Sequence, residues 1–247
     1  MFNAKARVEV LRIDDANVCL VIDDVLLEPE RWVNAAAEQR AGFAPSPANA
    51  YPGYELRMPD SVTQALLEFL RPGLRPHFGI RRILDAYSRL AMVTLAPAAL
   101  SPAQSLCHRD RLKCRPGQTA LASVLYLFDD PGLGGTAFFR SRLDATATDQ
   151  LLYDSNALPA PAFFARYSLQ PGYLTDSNAY FEKTHSIPAR WNRLLVYSGM
   201  LFHSGEISNP QALNDDPRTG RLTLNGFFTG RMKLRSSGQG DDCRVIH

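Results

Sequence analysis

The sequence is poor in the residues that mark several common protein classes. Its 247 residues include only four cysteines, which are scattered and form no Cys-x-x-Cys pair, so neither a disulfide scaffold nor a zinc ribbon is expected. No apolar run approaches the roughly eighteen residues of a membrane-spanning helix. We therefore expect a soluble, cytoplasmic protein with reduced thiols and no membrane partner.

Net charge is also nearly absent. The 27 lysines and arginines against 25 aspartates and glutamates leave a formal charge of +2, so nucleic acid is not an expected partner. Hydrophobic residues make up 45% of the chain, a composition that suits a folded domain rather than a disordered or fibrous chain. Histidine is scarce, so any metal or acid–base chemistry that requires imidazole must draw on five residues.

Short strands dominate the predicted secondary structure. Alternation and apolar runs predict strands over 8–13 and 17–22, and a helix begins near Glu28 and ends near Gly42. A second helix is predicted to begin with a capping box at Ser61 and to end at Pro72-Gly73. Further along, stretches rich in β-branched and aromatic residues predict strands over 91–95, 121–128, 136–139, 193–197 and 221–228.

These elements predict a mainly β protein with flanking α-helices in a single domain over 1–247. Strands and supporting helices occupy 1–82, an antiparallel sandwich or barrel occupies 83–230, and a polar, loosely held tail occupies 231–247. The stretches 43–59 and 144–180 are predicted to be long connections that shape a pocket mouth or contact another copy of the chain. The oligomeric state is left open, with a homodimer as one option.

A His-x-Asp pair is the first chemical signal. His108 and Asp110 lie two residues apart, so in an extended segment both side chains project from one face and could bind one metal ion. Taken alone, a pair this short more often marks an exposed polar loop, so the metal site needs a third ligand. His203 follows an apolar strand and is a third candidate ligand, although a hydrogen-bonded core histidine would also fit there. Two histidines and one carboxylate match the open iron sites of non-haem oxygenases, and zinc could use the same ligands.

The predicted strand that begins at Arg221 carries the second signal. Alternation places Arg221, Thr223 and Asn225 on one face and the leucines between them on the other. A buried guanidinium requires an anionic partner, and its planar fork suits a carboxylate, so this face predicts a carboxylate site. Arg218 is the rival candidate, but a charged residue in a turn more often lies on the surface.

In their order and spacing these motifs resemble the Fe(II)- and 2-oxoglutarate-dependent oxygenase superfamily, and within it the prolyl-4-hydroxylase-like group. The resemblance covers roughly residues 83–230. It rests on His108-x-Asp110, the strand Leu125-Tyr126-Leu127, the segment Gly134-Gly135-Thr136-Ala137-Phe138, His203, and Arg221-x-Thr223. The interval between His203 and Arg221 is long for the family, because 207–218 inserts a polar loop.

The resemblance implies a double-stranded β-helix, or jelly roll, of the cupin-like kind, with His108, Asp110 and His203 as Fe(II) ligands. Arg221 would bind the distal carboxylate of 2-oxoglutarate, and Thr223 would be the hydroxyl partner of that arginine. With O2 as oxidant, the expected reaction is hydroxylation of an unactivated C–H bond in a small molecule, an amino acid or a peptidyl side chain, with release of succinate and CO2.

Several roles stay open at this stage. Tyr126 and Tyr197 could each lend a hydroxyl to the co-substrate or serve only in packing. His185 competes with His203 as an iron ligand, but the strand before His203 favours the latter and leaves His185 at a pocket rim. Asp110 argues against halogenation, because related halogenases have a small residue in its place. The alternatives are a cupin-like metalloenzyme that does not use 2-oxoglutarate and a non-catalytic ligand-binding jelly roll.

Overall fold

Two antiparallel β-sheets build most of the fold. The computed structural model describes residues 1–45, 51–110 and 114–232. In chain order the strands are β1 (Arg7–Arg12), β2 (Val18–Asp23), β3 (Gly53–Arg57), β4 (Ile80–Val93), β5 (Gln118–Tyr126), β6 (Gly135–Ser141), β7 (Phe181–Ile187), β8 (Leu194–Ser198), β9 (Phe202–Glu206) and β10 (Arg221–Met232). The α-helices are α1 (Pro29–Glu38), α2 (Asp60–Phe78), α3 (Ala145–Ala157) and α4 (Ala160–Tyr167).

The strands form a large and a small sheet. The larger sheet has the order β1-β2-β8-β5-β10-β4-β3, and the smaller sheet has the order β7-β6-β9. Neighbouring strands run antiparallel in both sheets. The N-terminal strands β1 and β2 join the larger sheet through β8, so the beginning of the chain is hydrogen-bonded into the same sheet as β10.

Three apolar clusters hold the layers together. One face of the larger sheet packs on α1 and α2, where Leu224 and Leu66 belong to one buried cluster. Its opposite face packs on the smaller sheet, with Tyr197 and Phe138 in contact. The far side of the smaller sheet is covered by α3 and α4, including the fully buried Phe163. The order of layers is therefore helices, larger sheet, smaller sheet, helices.

Most predicted elements are confirmed. The predicted strands overlap β1, β2, β4, β5, β6, β8 and β10, and the mainly β character is borne out. The first helix is α1, followed by a 3₁₀ turn at Arg40–Gly42, close to the predicted end. Among the described residues, no helix has the length and apolar character needed to span a bilayer.

The second helix contradicts its predicted end. It passes through both Pro72 and Pro76 and continues to Phe78, so the prediction that Pro72-Gly73 closes it is wrong. Leu70 and Leu74 are buried in the cluster beneath the larger sheet. Burial of this apolar face outweighs the backbone hydrogen bonds that the prolines remove. The predicted capping box at Ser61 is also wrong, because the helix begins one residue earlier with no side-chain cap.

The two predicted long connections contain regular structure. β3 lies within 43–59, and α3 and α4 lie within 144–180, so the prediction that both stretches are irregular is wrong. The prediction that they shape a pocket is supported, because Tyr51 and Tyr173 are among the residues that line the main cavity. Asp144 begins α3 by accepting a hydrogen bond from the N–H of Ala147 at 2.8 Å, a cap whose sequence signal is weak. β10 extends to Met232, which is inside the predicted tail. Residues 46–50 of the first connection and 233–247 of the tail lie outside the described residues.

Candidate functional site

His108, Asp110 and His203 meet beside the smaller sheet. The N–H of His108 donates to the carbonyl oxygen of His203 at 2.9 Å, and the reverse bond is also 2.9 Å, so this segment pairs with β9. The N–H of Asp110 donates to the carbonyl oxygen of Gly199 at 2.8 Å. One ligand atom from each of the three side chains lies within 4.8 Å of the others. The predicted convergence is therefore confirmed, and we call these three residues the triad.

Hydrogen bonding prepares His203 to bind a cation through Nε2. Its Nδ1 lies 2.9 Å from the carbonyl oxygen of Leu201, so the Nδ1–H donates and Nε2 keeps its lone pair. Nε2 lies 3.9 Å from Oδ1 of Asp110. The ring is buried and packs edge-on against Tyr197, with 4.8 Å between the centroids. His203 is thus fixed in position and tautomer.

One carboxylate oxygen of Asp110, Oδ2, is buried and accepts no hydrogen bond from the described residues. Burial raises the pKa of the Asp110 carboxyl group, and the charges of His203 and Arg89 act in the opposite direction. A divalent cation would supply the missing partner and stabilise the charged form. Two imidazoles and one carboxylate are a donor set that fits iron or zinc.

Gly199 provides the space that the Asp110 carboxylate occupies. A Cβ atom at position 199 would lie 2.5 Å from Oδ2 of Asp110 and 3.1 Å from its Cβ. The N–H of Gly199 donates to the carbonyl oxygen of Ala120 at 3.0 Å, and its own carbonyl accepts from Asp110. Because the backbone is held on both sides, only glycine allows this close approach.

The triad opens into a cavity of about 850 Å³ that is lined by strands of both sheets, and Arg221 lines the same cavity. The Arg221 side chain is buried, and its Nε donates to the carbonyl oxygen of Leu133 at 2.8 Å. Its Nη2 donates to the carbonyls of Gly135 at 3.2 Å and Gly134 at 3.4 Å. Among the ion pairs of the described residues, none involves Arg221. A buried guanidinium whose partners are neutral carbonyls favours an anionic ligand.

Thr223 and Tyr51 lie near this guanidinium. Thr223 is buried, lines the cavity, and donates from Oγ1 to the carbonyl oxygen of Ala91 at 3.3 Å. The Thr223 side chain lies beside the Tyr51 hydroxyl. Burial raises the pKa of Tyr51, while the charges of Arg221 and Arg89 act in the opposite direction. The stretch 43–59 was predicted to shape a pocket mouth, but Tyr51 was not singled out within it, because this proline- and alanine-rich segment has no periodicity.

The two tyrosines with open roles occupy different places. Tyr126 is fully buried, and its hydroxyl shares a hydrogen bond of 2.7 Å with Oγ1 of Thr136. Burial raises the pKa of Tyr126 to about 12. Thr136 lines the cavity and Tyr126 does not, whereas Tyr197 lines it beside His203. Tyr126 thus supports the cavity wall from behind, and Tyr197 forms part of it.

The rival residues Arg218 and His185 are not part of the cavity lining. Arg218 is exposed in the turn before β10, where its N–H donates to Oδ1 of Asp216 at 2.9 Å. His185 lies on β7 opposite Phe138, and its Nδ1 is buried without a hydrogen-bond partner among the described residues. The expectation that His185 lies at the pocket rim is therefore not supported by its position.

Arg89 is a cavity residue that sequence reasoning missed. It lies on β4, lines the cavity, and forms an ion pair of 2.7 Å between its Nη1 and Oε1 of Glu55. The strand was predicted to begin at Ala91, which left Arg89 outside it. The signal was the alternation itself, because Tyr87, Arg89 and Val93 all line the cavity.

The fold and the site define a two-sheet β protein with a candidate metal centre. The chain belongs to the family of unknown function DUF6445, whose model matches residues 4–228. This range includes the triad, Arg89 and Arg221. No match was found among the curated proteins.

Several solved structures match most of the length of this chain and share little sequence with it. HygX from Streptomyces hygroscopicus, with nickel and 2-oxoglutarate bound, is 13% identical, and the match covers 89% of this chain and 85% of HygX with a TM-score of 0.43. SnoK, a non-heme alpha ketoglutarate dependent carbocyclase from nogalamycin biosynthesis, is 15% identical, covering 86% and 79% with a TM-score of 0.43. An N-substituted L-amino acid dioxygenase from Burkholderia ambifaria AMMD is 13% identical, covering 87% and 86% with a TM-score of 0.36.

Proposed function

We propose that this protein is an Fe(II)- and 2-oxoglutarate-dependent oxygenase. One observation carries the proposal: the triad lines the same cavity as Arg221, a buried guanidinium whose hydrogen-bond partners are neutral carbonyls. A metal site alone would suit many enzymes, and a buried arginine alone could be structural. Together they match the two ends of a keto acid that binds a metal at one end and carries a distal carboxylate at the other.

The proposal includes the fold and the subgroup. We assign residues 1–247 to one domain whose facing sheets form a double-stranded β-helix, with β1 and β2 as an extension of the larger sheet. The motif order supports the prolyl-4-hydroxylase-like group, and the carboxylate of Asp110 favours hydroxylation over halogenation.

His108, Asp110 and His203 would hold the metal ion. Fe(II), together with 2-oxoglutarate and O2, would supply the oxidation of an unactivated C–H bond, with release of succinate and CO2. In the neutral tautomer that the Leu201 carbonyl selects, His203 would offer the Nε2 lone pair to the metal, and Asp110 would contribute the negative charge. Three protein ligands leave coordination positions open for the co-substrate.

Arg221 would bind the distal carboxylate of 2-oxoglutarate. Hydrogen bonds to three backbone carbonyls orient the guanidinium before a ligand arrives, so little side-chain entropy is lost on binding. A Cβ atom on Gly205 would lie 3.5 Å from Nη2 of Arg221, and Gly205 is about 7 Å beyond His203 along β9. The guanidinium thus flanks the triad at a distance that a small dicarboxylate can span, with Thr223 as a neighbouring hydroxyl.

The cavity walls would orient the substrate and exclude water. Tyr197 packs against His203, and Thr136 is held in the wall by its bond to Tyr126. The cavity volume of about 850 Å³ leaves room for a co-substrate and a small primary substrate. Exclusion of water strengthens the attraction between the buried guanidinium and a carboxylate.

The test is anaerobic titration of the purified protein with Fe(II) and 2-oxoglutarate. The wild-type protein should develop a metal-to-ligand charge-transfer absorption band, and His203→Ala should abolish it. Arg221→Leu should weaken 2-oxoglutarate binding about a hundredfold and leave Fe(II) affinity unchanged, since a hydrogen bond to a charged group contributes up to about 3 kcal/mol. Arg218→Leu is the matched control and should change neither value.

Other outcomes would favour the alternatives. Metal-dependent turnover that ignores 2-oxoglutarate and Arg221→Leu would indicate a cupin-like metalloenzyme. Protein that binds no metal ion in stoichiometric amount would indicate a non-catalytic ligand-binding module. A charge-transfer band that survives His203→Ala would contradict the assigned ligands.

A further inference from the structure

A second arginine, largely shielded from solvent, lines the cavity at a separate backbone position. Arg89 of β4 is the Cα partner of Asn225 on β10, whereas Arg221 lies at the start of β10, about 14 Å away along the strand. Both guanidiniums are held in place, Arg221 by backbone carbonyls and Arg89 by Glu55. The different backbone positions and the different partners of the two side chains favour two anion positions over a single shared one.

The Arg89 guanidinium has one buried donor without a partner. Its Nη1 is 2.7 Å from Oε1 of Glu55, and the side chain is only 12% exposed. Its Nε is buried and donates no hydrogen bond to any described residue. A carboxylate oxygen is the acceptor that a guanidinium N–H pairs with most strongly. A buried donor without an acceptor is destabilising, so a ligand that supplies one is favoured.

Asn225, the cross-strand partner of Arg89, adds a second unsatisfied group to the same cavity lining. Its side chain is buried and lines the cavity, and its Oδ1 accepts no hydrogen bond from the described residues. An amide oxygen requires an N–H or O–H donor. A carboxylate with such a donor on the neighbouring carbon would satisfy Arg89 and Asn225 together.

The overall charge of the cavity is balanced. Its charged lining residues other than histidine are Arg89, Arg109, Arg221 and Asp110. Arg89 is paired with Glu55 and Arg109 with Asp149 just behind the lining. The case for an anionic substrate therefore rests on the unsatisfied donor of Arg89 and not on an excess of positive charge.

An aromatic wall adjoins Arg89 on the side of the triad. Tyr87 and Phe227 are stacked, with 4.9 Å between ring centroids, and both line the cavity. The Arg89 guanidinium carbon lies 4.7 Å from the Phe227 centroid. Arg89 is also close enough to Asp110 for its charge to act on that carboxyl group. A substrate seated here would lie beside the triad with its apolar part against the two rings.

We propose that the primary substrate is a small carboxylic acid with an N–H or O–H donor next to its carboxylate, an α-amino acid or α-hydroxy acid. Arg89 binds the carboxylate and Asn225 accepts from the donor. This inference rests on the proposed oxygenase function, because it assigns the C–H bonds of that acid to the space beside the triad.

The test uses the full chain loaded anaerobically with Fe(II) and 2-oxoglutarate. The probes are the proteinogenic L-amino acids, their α-hydroxy analogues and their carboxamides, and the readouts are perturbation of the charge-transfer band and succinate formation after air is admitted. At least one acid should bind and stimulate turnover, and its carboxamide should not. Whether the amino or the hydroxy acid binds more tightly identifies the donor.

Variants then assign the binding residues. Arg89→Lys preserves a charge for Glu55 but loses the fork, so the Kd of the acid should rise about tenfold or more while that of 2-oxoglutarate stays unchanged. Asn225→Leu should weaken acid binding in the same way. Arg82→Lys, at an exposed position of the same strand, is the matched control and should have no effect.

Failure of this inference can be distinguished from failure of the oxygenase function. If the band forms but no acid binds, carboxamides bind equally well, or Arg89→Lys leaves the Kd unchanged, the substrate assignment is overturned and the oxygenase function stands. If no band forms, the oxygenase function fails. Thermal-shift measurements with the same probes then show whether an acid still binds and whether Arg89→Lys still weakens the binding of that acid. If no acid binds, or if Arg89→Lys does not weaken its binding, the substrate assignment is overturned.

Discussion

Replacement of Gly199 by alanine tests whether the position of the Asp110 carboxylate controls metal binding. The added methyl group would lie 2.5 Å from Oδ2 of Asp110, 3.1 Å from its Cβ and 3.2 Å from its Cγ. The backbone of Gly199 cannot retreat, because its N–H donates to Ala120 and its carbonyl accepts from Asp110. The carboxylate must therefore move.

The size of that movement sets the expected effect. Non-bonded contacts settle near about 3.5 Å, so the carboxylate oxygen has to shift by about 1 Å. Functional side chains tolerate displacements of only about 0.5 Å. We expect Gly199→Ala to weaken Fe(II) binding about 10- to 100-fold, as the loss of a ligand's supporting contact does. The metal-free protein should lose about 1–2 kcal/mol of unfolding free energy through overpacking.

Anaerobic calorimetric titration with Fe(II) measures the first quantity, and urea denaturation of the metal-free protein measures the second. Gly172→Ala is the matched control, because a Cβ at that position meets no atom within 4 Å. Wild-type Fe(II) affinity in Gly199→Ala would refute the reasoning, since it would show that Asp110 is not held at the metal by this contact.

Two further predictions concern stability. Asn192→Ala should lower the unfolding free energy by about 2–4 kcal/mol in urea denaturation. The buried Asn192 side chain accepts from the N–H of Leu26 at 2.8 Å and donates to the carbonyl oxygen of Leu26 at 2.9 Å, and the Asn192 backbone has a φ of 60°. A loss below about 1 kcal/mol would count against this prediction. Hydrogen bonding from Arg193 lowers the pKa of Asp23 to about 2, so Asp23 stabilises the fold above its unfolded pKa and this stabilisation disappears as pH falls toward 2. Asp23→Asn should therefore lower the unfolding free energy by about 1–2 kcal/mol at pH 7 and by almost nothing near pH 2, as measured by denaturation curves across pH. A difference in unfolding free energy between the variant and the wild type that does not vary with pH would contradict the assignment.

Alternation predicted the strands well because burial in this fold follows it closely. In β10, Arg221, Thr223 and Asn225 face the cavity, and the intervening leucines join the cluster beneath α1 and α2, as the period of two requires. The end of α2 could not be predicted in this way. Its prolines are local signals for a helix end, but the burial of Leu74 that overrides them depends on packing against a distant sheet.

The candidate site was only partly predictable for a related reason. His108, Asp110 and His203 carry distinctive residue types, so their convergence could be predicted, although their role as metal ligands stays a prediction. Arg89 resembles any other charged residue in the sequence. Its burial depends on the ion pair with Glu55, which requires β3 and β4 to be neighbours, and that pairing cannot be derived from alternation within a single strand.

The two parts of the candidate site belong to different layers. The two histidines of the triad are attached to β9 of the smaller sheet, while Arg89 and Arg221 project from adjacent strands of the larger sheet. A ligand that reaches from the triad to either arginine therefore acts as a cross-brace between the two sheets. A ligand that binds only the folded chain stabilises the folded state more as its concentration rises above its Kd. Ligand binding at the site and the packing of the two sheets against each other are therefore thermodynamically linked. If both proposed anion positions bind their ligands, the sandwich would resist separation most strongly when both are occupied.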